Sequence, residues 1–272
     1  MNAQAFAQLC RSRVSARAFK AGARIPGDVL RRVLEVMQSA PSSFNLQPYR
    51  VVVVKSEAQR EALAGAMLSP SNAKRVRDAS VTVVFAADRD PSQLTRRLME
   101  LETAHGTDPA YVSGLPSKVT FLLGPGVLSK AFRVVASHLL SPLAPSPKIS
   151  PTLEGWACKN AALAAGVYML AAQSHGLATA PMEGFDERRV GFLLGIPAER
   201  YSIPLLICTG YAAAAEGHAD VNSAASASQA DGPAHRRFPL AEVVCLDHFG
   251  VPLKFARERE TGTEGDEIKS LF

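Results

Sequence analysis

The sequence has few of the residues that build disulfide frameworks and metal sites. Its 272 residues include four cysteines, Cys10, Cys158, Cys208 and Cys245, which are far apart and form no CxxC pair. Neither a disulfide framework nor a zinc site is therefore expected, and a reducing compartment is favoured. None of the six histidines is paired at a metal-ligand spacing such as HExxH, so no metal is expected. GxSxG, P-loop and GxGxxG motifs are also absent.

Long apolar runs and runs of like charge are missing as well. The longest apolar stretch, residues 161–172, is shorter than the roughly 20 residues that cross a bilayer, so no membrane partner is expected. The N-terminus lacks the apolar core of a signal peptide. This favours a cytoplasmic protein, or one of an organelle such as the mitochondrion if a presequence has been removed. The formal charge of +5 is spread among acidic residues, so no nucleic-acid partner is expected.

The composition that remains is that of an ordinary globular protein, with 47% apolar and 20% charged residues. The length suits a single domain over residues 1–272. Within it, residues 212–232 are rich in Ala and Ser and are expected to form a flexible surface insertion. Residues 250–272 form a C-terminal extension with a charged tail.

Short β-branched runs predict strands, and apolar residues at helical spacing predict helices. The predicted strands are residues 51–54, 81–87, 178–181, 202–209 and 243–246. The predicted helices are residues 2–10, 26–40, 57–67, 153–175 and 186–195. Their irregular alternation indicates an α+β or mixed α/β fold.

The first candidate site segment is RVSAR, residues 13–17. In extended backbone, residues two apart share a face, so Arg13, Ser15 and Arg17 would present two guanidinium groups and a hydroxyl together. This set suits a phosphate, because arginine can donate two hydrogen bonds to it. A solvated basic loop is the alternative for these residues taken alone.

The second segment is APSSFNLQPY, residues 40–49. It places two hydroxyls and two amides between two prolines, directly before a predicted strand. These groups could pair with a polar heterocycle. A plain turn that satisfies its own backbone explains them equally well.

The third segment is PMEGFD, residues 181–186, which lies between a predicted strand and a predicted helix. Gly184 would let the backbone approach a ligand closely, and nearby N–H groups could donate to it. A strand-to-helix turn with Asp186 as the N-cap is the alternative.

The fourth segment is HRRFP, residues 235–239, a small basic cluster just after the Ala/Ser-rich insertion. Clusters of charge are usually solvated. These residues gain interest only in combination with the other three segments.

Taken together and in this order, the four segments resemble the nitroreductase family of FMN-dependent enzymes. The resemblance extends from Arg13 to about Val244. It is clearest in RVSAR, APSSFNLQPYRVVVV, SNAKRVRDASVTVVFAAD, WACKNAALAAGVYMLAAQSHGLATAPMEGFD, IPLLICTGY and HRRFPLAEVV. The run PMEGFD is most similar to the oxygen-insensitive nitroreductase and dihydropteridine reductase branch.

The resemblance implies an FMN site assembled from several segments. The residues expected at the FMN phosphate are Arg13, Ser15, Arg237 and His235, the last standing where relatives often have lysine. Those expected near the pyrimidine edge of the flavin are Arg17, Asn72 and Arg75. Those expected in a turn over the ring, with backbone N–H bonding to N5, are Pro181, Glu183 and Gly184. Those expected in a loop contributed by the partner subunit are Pro41, Ser42, Ser43 and Asn45.

The resemblance also implies the reaction and the assembly. No side chain is expected to act as acid, base or nucleophile, and Asn160 is expected to contact the substrate. NADPH or NADH would deliver hydride to N5 of FMN, and a nitroaromatic or quinone would then take two electrons in the same pocket. The implied fold is a domain-swapped homodimer with a mostly antiparallel sheet. Residues 157–173 are expected in its interface, and residues 249–255 are expected to wrap the partner.

Several other functions stay open at this point. A reductive dehalogenase or an enone reductase would use the same fold. A flavin-binding or redox-sensing protein without turnover would use the same cofactor. A phosphoprotein or RNA-binding module would need basic residues without a bound flavin.

Overall fold

A four-stranded antiparallel sheet forms the centre of residues 1–234, the first of two compact units. Its strands are β1 (Tyr49–Val54), β2 (Val81–Asp88), β3 (Ala178–Met182) and β4 (Tyr201–Gly210), in the order β1-β2-β4-β3. This confirms the predicted α+β fold with a mostly antiparallel sheet and the first four predicted strands. Both central strands are mainly apolar, and every residue of β2 is buried because helices cover both faces of the sheet.

The computed structural model describes residues 2–124, 126–135, 152–213 and 237–251. The chain divides into two compact units, residues 1–234 and 235–272. Most of the Ala/Ser-rich insertion, most of the C-terminal extension and His235 lie outside the described residues. The predictions for those segments therefore stay predictions.

The helices account for most of the remaining described chain. In the first unit they are α1 (Ala3–Ser12), α2 (Gly27–Gln38), α3 (Glu57–Ala64), α4 (Pro70–Asp78), α5 (Thr95–Ala104), α6 (Pro109–Leu123), α7 (Val127–Val135), α8 (Leu153–Ser174) and α9 (Glu187–Leu194). The second unit contains the short helix α10 (Leu240–Val243). No helix among residues 2–124, 126–135, 152–213 and 237–251 is long and apolar enough to cross a membrane.

Alternation along the strands divides the core into two sides. Val81, Val83 and Phe85 of β2 face α2 and α8 on one side of the sheet. Val84 and neighbouring residues of β4 face α3, α4 and α9 on the other. A third apolar cluster joins α5 and α6 to the first turns of α8 around Trp156. Two-sided burial explains why the strands read as continuous apolar runs in the sequence.

Capping residues set several helix starts. The Ser69 hydroxyl accepts from the Asn72 N–H at the start of α4, and the Asp186 carboxylate accepts from the Arg189 N–H at the start of α9. Pro26 occupies the N-cap position of α2. Each cap satisfies backbone N–H groups that a first helical turn leaves unpaired, or fixes the entry of the chain into that turn.

The predicted strand at residues 243–246 is wrong. Leu240–Val243 forms α10, and among the described residues of this segment only Cys245 makes a strand-type bridge. Pro239 lies just before the helix, and the first three helical residues are Leu, Ala and Glu, which are good helix formers. The β-branched pair at residues 243–244 was too short to override that local preference.

Candidate functional site

The RVSAR segment lies along the outer edge of β3. Ser15 pairs with Thr179 in a parallel bridge, and the Ala16 N–H donates to the Thr179 carbonyl oxygen at 2.8 Å. Further along, Phe19 pairs with Ala212 beyond the end of β4. Phe19 is buried in the core, whereas Ser15 and Arg17 are exposed. The sheet thus holds this segment beside β3, in the extended form for which the shared face of Ser15 and Arg17 was considered.

Arg75 connects this segment to α4. Its Nη1 donates to Asn72 Oδ1 at 2.8 Å, and its Nε donates to the Arg17 carbonyl oxygen at 3.2 Å. Asn72 and Arg75 are three residues apart, so they share one face of α4. Both side chains are half-buried. A cation and an amide therefore stand beside the RVSAR backbone.

The PMEGFD turn pairs with residues 66–68, which connect α3 to α4. The Leu68 N–H donates to the Gly184 carbonyl oxygen at 3.0 Å, and the Asp186 N–H donates to the Ala66 carbonyl oxygen at 2.8 Å. Met67 and Phe185 form the bridge between these two bonds. The turn is therefore fixed from outside as well as by its own strand.

Gly184 lies directly against Asn72. A Cβ atom added at Gly184 would lie 3.1 Å from the Asn72 Nδ2 atom, closer than side chains normally pack. Asn72 consequently contacts both the turn and Arg75. These contacts join Arg17, Asn72, Arg75 and Gly184. We call these four residues, together with the other predicted site residues of the RVSAR and PMEGFD segments, the arginine–glycine group; the others are Arg13, Ser15, Pro181 and Glu183.

The loop before β1, residues 41–47, is the second cluster of predicted site residues, and we call it the Ser–Asn loop. Its backbone is left-handed at Phe44, Asn45 and Gln47, with φ of 57°, 55° and 48°. The Ser42 hydroxyl accepts from the Gln47 N–H at 3.0 Å. Pro41, Ser43 and Asn45 are exposed, while Leu46 is buried and anchors the loop.

Asn160 lies under this loop and is only 3% exposed. Its Oδ1 accepts from the Ser43 N–H at 2.9 Å, and its Nδ2 donates to the Trp156 carbonyl oxygen at 2.8 Å. In the single chain its buried amide joins α8 to the Ser43 backbone. The contact of Asn160 with the substrate stays a prediction.

The two clusters lie toward opposite ends of the sheet within one chain. The Ser–Asn loop leads into Tyr49, which pairs with Ala87 at the end of β2. Ser15 pairs with Thr179, which is opposite Thr209 near the end of β4, where Tyr168 of α8 donates to the Thr209 hydroxyl at 2.9 Å. Asn160 and Tyr168 are eight residues apart on α8, which corresponds to about 12 Å along the helix axis.

Two buried ionisable groups lie near the end of the sheet where Ser15 pairs with Thr179: Tyr168 on the α8 side and Cys208 on the α4 side. Burial raises the pKa of the Tyr168 hydroxyl to about 12 and that of the Cys208 thiol to about 12. Thr179 is 1% exposed, and its hydroxyl has no hydrogen-bond partner among the described residues. The Tyr168 hydroxyl and the Cys208 thiol are therefore neutral at ordinary pH. The positive charges of the arginine–glycine group are those of Arg13, Arg17 and Arg75.

Glu102, in the last turn of α5, was missed by the sequence analysis. Its Oε1 accepts from Asn45 Nδ2 at 3.1 Å and its Oε2 from the Thr107 hydroxyl at 2.7 Å. These two hydrogen bonds, that of Thr107 first, lower the pKa of the carboxyl group. No local signal marked Glu102, because it is 57 residues from Asn45 in a segment without a recognisable motif.

Two further features concern Arg237 and possible metal ligands. Arg237 is an exposed residue of the second unit, just before α10, so its meeting with Arg13 stays a prediction. Among the described residues, no group of three or more His, Cys, Asp or Glu side chains could hold a metal ion.

Comparison with known proteins adds an independent line of observation. The family model described as "Nitroreductase family" matches residues 10–211. A Thermus thermophilus protein named NADH dehydrogenase is 29% identical over 220 residues, covering 81% of this chain and 85% of that protein. Bacillus subtilis YdgI, provisionally named as an NAD(P)H nitroreductase, is 24% identical and covers 79% of this chain and 91% of its own length.

Solved structures agree on the fold. A protein of Exiguobacterium sibiricum, solved in complex with FMN, superposes with a TM-score of 0.63 at 20% identity. The superposition covers 89% of this chain and 96% of that one. The family match includes both the arginine–glycine group and the Ser–Asn loop, and the predicted nitroreductase-like fold is confirmed. The chain belongs to the nitroreductase family.

Proposed function

We propose that the chain is an FMN-dependent NAD(P)H oxidoreductase that reduces nitroaromatics or quinones as a homodimer. The observation that carries this proposal is the arginine–glycine group. Three segments far apart in sequence meet there through Arg75, Asn72 and Gly184. An amide, a guanidinium group and a turn with no side chain form a surface suited to a flat polar ring.

The chemistry of these residues fits FMN. Protein groups tune a flavin chiefly by charge near N1 and by hydrogen bonds at N5. Arg17 and Arg75 would provide the charge. Gly184 has no side chain, and the Asn72 amide lies where its Cβ would be, so Asn72 stands directly beside the backbone of the turn. Arg13 and Ser15, together with Arg237 and His235 of the second unit, are proposed to hold the phosphate.

The Ser–Asn loop is proposed to complete the site of a partner subunit. Within one chain it lies toward the end of the sheet away from Ser15, so a second copy would bring it to the arginine–glycine group. The exposed side of α8 suits the interface, because Ala162 and Leu163 recur with Gly166 and Leu170 at helical spacing. Leu163 is 51% exposed in the single chain. A helix stripe of this kind is normally covered by another element.

Bound FMN would supply the redox chemistry by accepting hydride from NADH or NADPH and passing two electrons to the acceptor. The residues of the chain would bind and orient it. Arg17 and Arg75 would stabilise negative charge on the reduced ring. The Glu183–Gly184 backbone would hold one face of the ring and leave the other to the two substrates in turn.

Two measurements test this proposal. The protein should purify yellow, and heating should release FMN identified by chromatography. Anaerobic stopped-flow mixing with NADPH or NADH should then bleach the flavin absorbance, and a nitroaromatic or quinone should restore it. A colourless protein that takes up no FMN would contradict the cofactor. Flavin that neither nucleotide reduces would indicate a binding or sensing protein without turnover. An acceptor panel that includes enones and halogenated aromatics would separate the enone reductase and dehalogenase alternatives.

A further inference from the structure

The side chain of Asn45 is held at both ends, although it lies on the surface. Its Nδ2 donates to Glu102 Oε1 at 3.1 Å, and its Oδ1 accepts from Gln47 Nε2 at 3.2 Å. Gln47 Nε2 also donates to the Asn45 carbonyl oxygen at 3.1 Å. An exposed amide would normally sample several rotamers, so these bonds select one orientation of Asn45.

The backbone around Asn45 needs such support. Phe44, Asn45 and Gln47 all have positive φ, and a bulky residue such as Phe44 seldom adopts this conformation. Strained backbone of this kind persists only where the surroundings determine it. Inside the loop the support comes from Ser42 and Gln47. Outside it, the contacts to the loop's polar groups come from Asn160 below and Glu102 at the side.

Glu102 is well suited to this support. Its carboxylate divides its two oxygens between Asn45 and Thr107, and the Thr107 N–H also donates to the Glu102 carbonyl oxygen at 3.1 Å. The Thr107 contacts fix Glu102 at the end of α5 independently of the loop. A bond to an ionised acceptor is stronger than one between neutral groups. Glu102 therefore connects a helix end to a strained loop.

We propose that Glu102 is a positioning residue of the flavin site, acting through Asn45 to hold the Ser–Asn loop in its binding conformation. This rests on the proposed function, because Asn45 belongs to the site only if FMN binds there. Glu102 itself touches neither cofactor nor substrate in this assignment. The competing explanation is that Glu102 only closes the last turn of α5 with Thr107.

Glu100 offers a matched control on the same helix. It is an exposed carboxylate two residues earlier, and it pairs with Arg97 at 3.1 Å and Arg96 at 3.4 Å. Substituting Glu100 removes a carboxylate and its ion pairs from α5 but leaves the bond to Asn45 intact. An effect seen in both Glu100→Ala and Glu102→Ala would therefore result from the loss of a carboxylate on α5, and not from the loss of the bond to Asn45.

The first experiment measures the loop in the flavin-free protein by hydrogen exchange of the peptide covering residues 41–49. Glu102→Ala should speed exchange in this peptide, while Glu100→Ala should leave it at the wild-type rate. Glu102→Gln keeps an acceptor oxygen for Asn45 and should restore slow exchange. Equal exchange in Glu102→Ala and wild type would overturn the proposal. Matching melting temperatures would show that the variants are folded.

The second experiment is a double-mutant cycle on the FMN dissociation constant, measured by fluorescence titration. Glu102→Ala should weaken FMN binding about fivefold, the loss expected for one exposed charge-assisted bond. In an Asn45→Ala background the same substitution should add nothing, because the residue through which it acts is gone. Additive losses would show that Glu102 acts on the fold alone. If the wild-type protein takes up no FMN, the proposed function fails, and the exchange experiment still decides whether Glu102 holds the loop.

Discussion

The arginine–glycine group and the Ser–Asn loop are held by different kinds of interaction. The first is held mainly by main-chain pairing: RVSAR pairs with β3, and PMEGFD pairs with residues 66–68. The second is a loop without a strand partner in the described part of the chain, and it is held by side-chain hydrogen bonds of Ser42, Gln47, Glu102 and Asn160. Main-chain pairing survives most side-chain substitutions, whereas a loop held by single side chains does not. Substitutions in the arginine–glycine group should therefore weaken ligand binding while the backbone stays folded. Substitutions of the side chains that hold the Ser–Asn loop should change the loop structure and ligand binding together.

The largest effect is expected for Asn160→Ala. The substitution removes a buried amide and leaves the Ser43 N–H and the Trp156 carbonyl without that partner, so the free energy of unfolding should fall by about 3 kcal/mol. Urea denaturation measures the change. Gln173→Ala is the control on the same helix, since Gln173 is only half-buried and bonds to Ser12 at 3.3 Å. A loss no larger than that of the control would remove the contrast between the two regions.

The next effect is expected for Arg75→Ala. The substitution breaks the links to Asn72 and to the Arg17 carbonyl, so FMN binding should weaken by about 2 kcal/mol. The unfolding free energy of the flavin-free protein should hardly change, because the RVSAR segment stays paired with β3. Lys74→Ala is the matched control, since Lys74 is exposed on α4 and pairs with Asp78 at 2.7 Å. If Arg75→Ala strongly destabilised the protein without any loss of FMN affinity, Arg75 would have a structural role and no role in FMN binding.

A smaller effect is expected for Gly184→Ala. The added methyl group would lie 3.1 Å from Asn72 Nδ2, so the amide must move by a few tenths of an ångström. FMN affinity should fall by about 1 kcal/mol, because overpacking of this kind shifts its neighbours. Gly27→Ala is the control, since nothing lies within 4 Å of its added Cβ. FMN affinity at the wild-type level in Gly184→Ala would show that the turn does not contact the ring.

The smallest effect concerns Cys208, which is buried in the core on the α4 side of the sheet. Because burial raises the pKa of its thiol to about 12, thiol reagents at pH 8 should label Cys208 only after global unfolding. Exposed Cys245 should react at once. The raised pKa also means that the stability contribution of the neutral thiol is lost as pH rises, starting near the ordinary value of 9.0. Labelling of Cys208 in the native protein faster than unfolding would show that this region opens locally.

Local signals in the sequence were the most reliable. The β-branched runs at residues 51–54 and 81–87 are strands, and Asp186 caps the helix predicted at residues 186–195. The resemblance to the nitroreductase family is confirmed by the family match over residues 10–211. The homodimer and the individual FMN contacts stay predictions.

Contacts between distant segments could not be predicted from the sequence. Asn160 and Glu102 contact the Ser–Asn loop across 117 and 57 residues, and no spacing rule connects such positions. The wrong strand at residues 243–246 has a local cause, because the helix formers at the start of α10 outweigh two β-branched residues. A local sequence pattern predicts the secondary structure of a residue, but it does not predict which distant residues its side chain contacts.

The amino-acid sequence by itself determined the four strands of the sheet, several helix starts and the family. Only the tertiary structure decided that Asn72 packs on Gly184, that Arg75 bonds to the Arg17 backbone, and that Asn160 supports a loop. The physical reason is that backbone propensities and caps act over a few residues, while contacts between segments depend on how sheet and helices pack. The role of a side chain such as Asn160 therefore depends on the residues that this packing brings into contact with it.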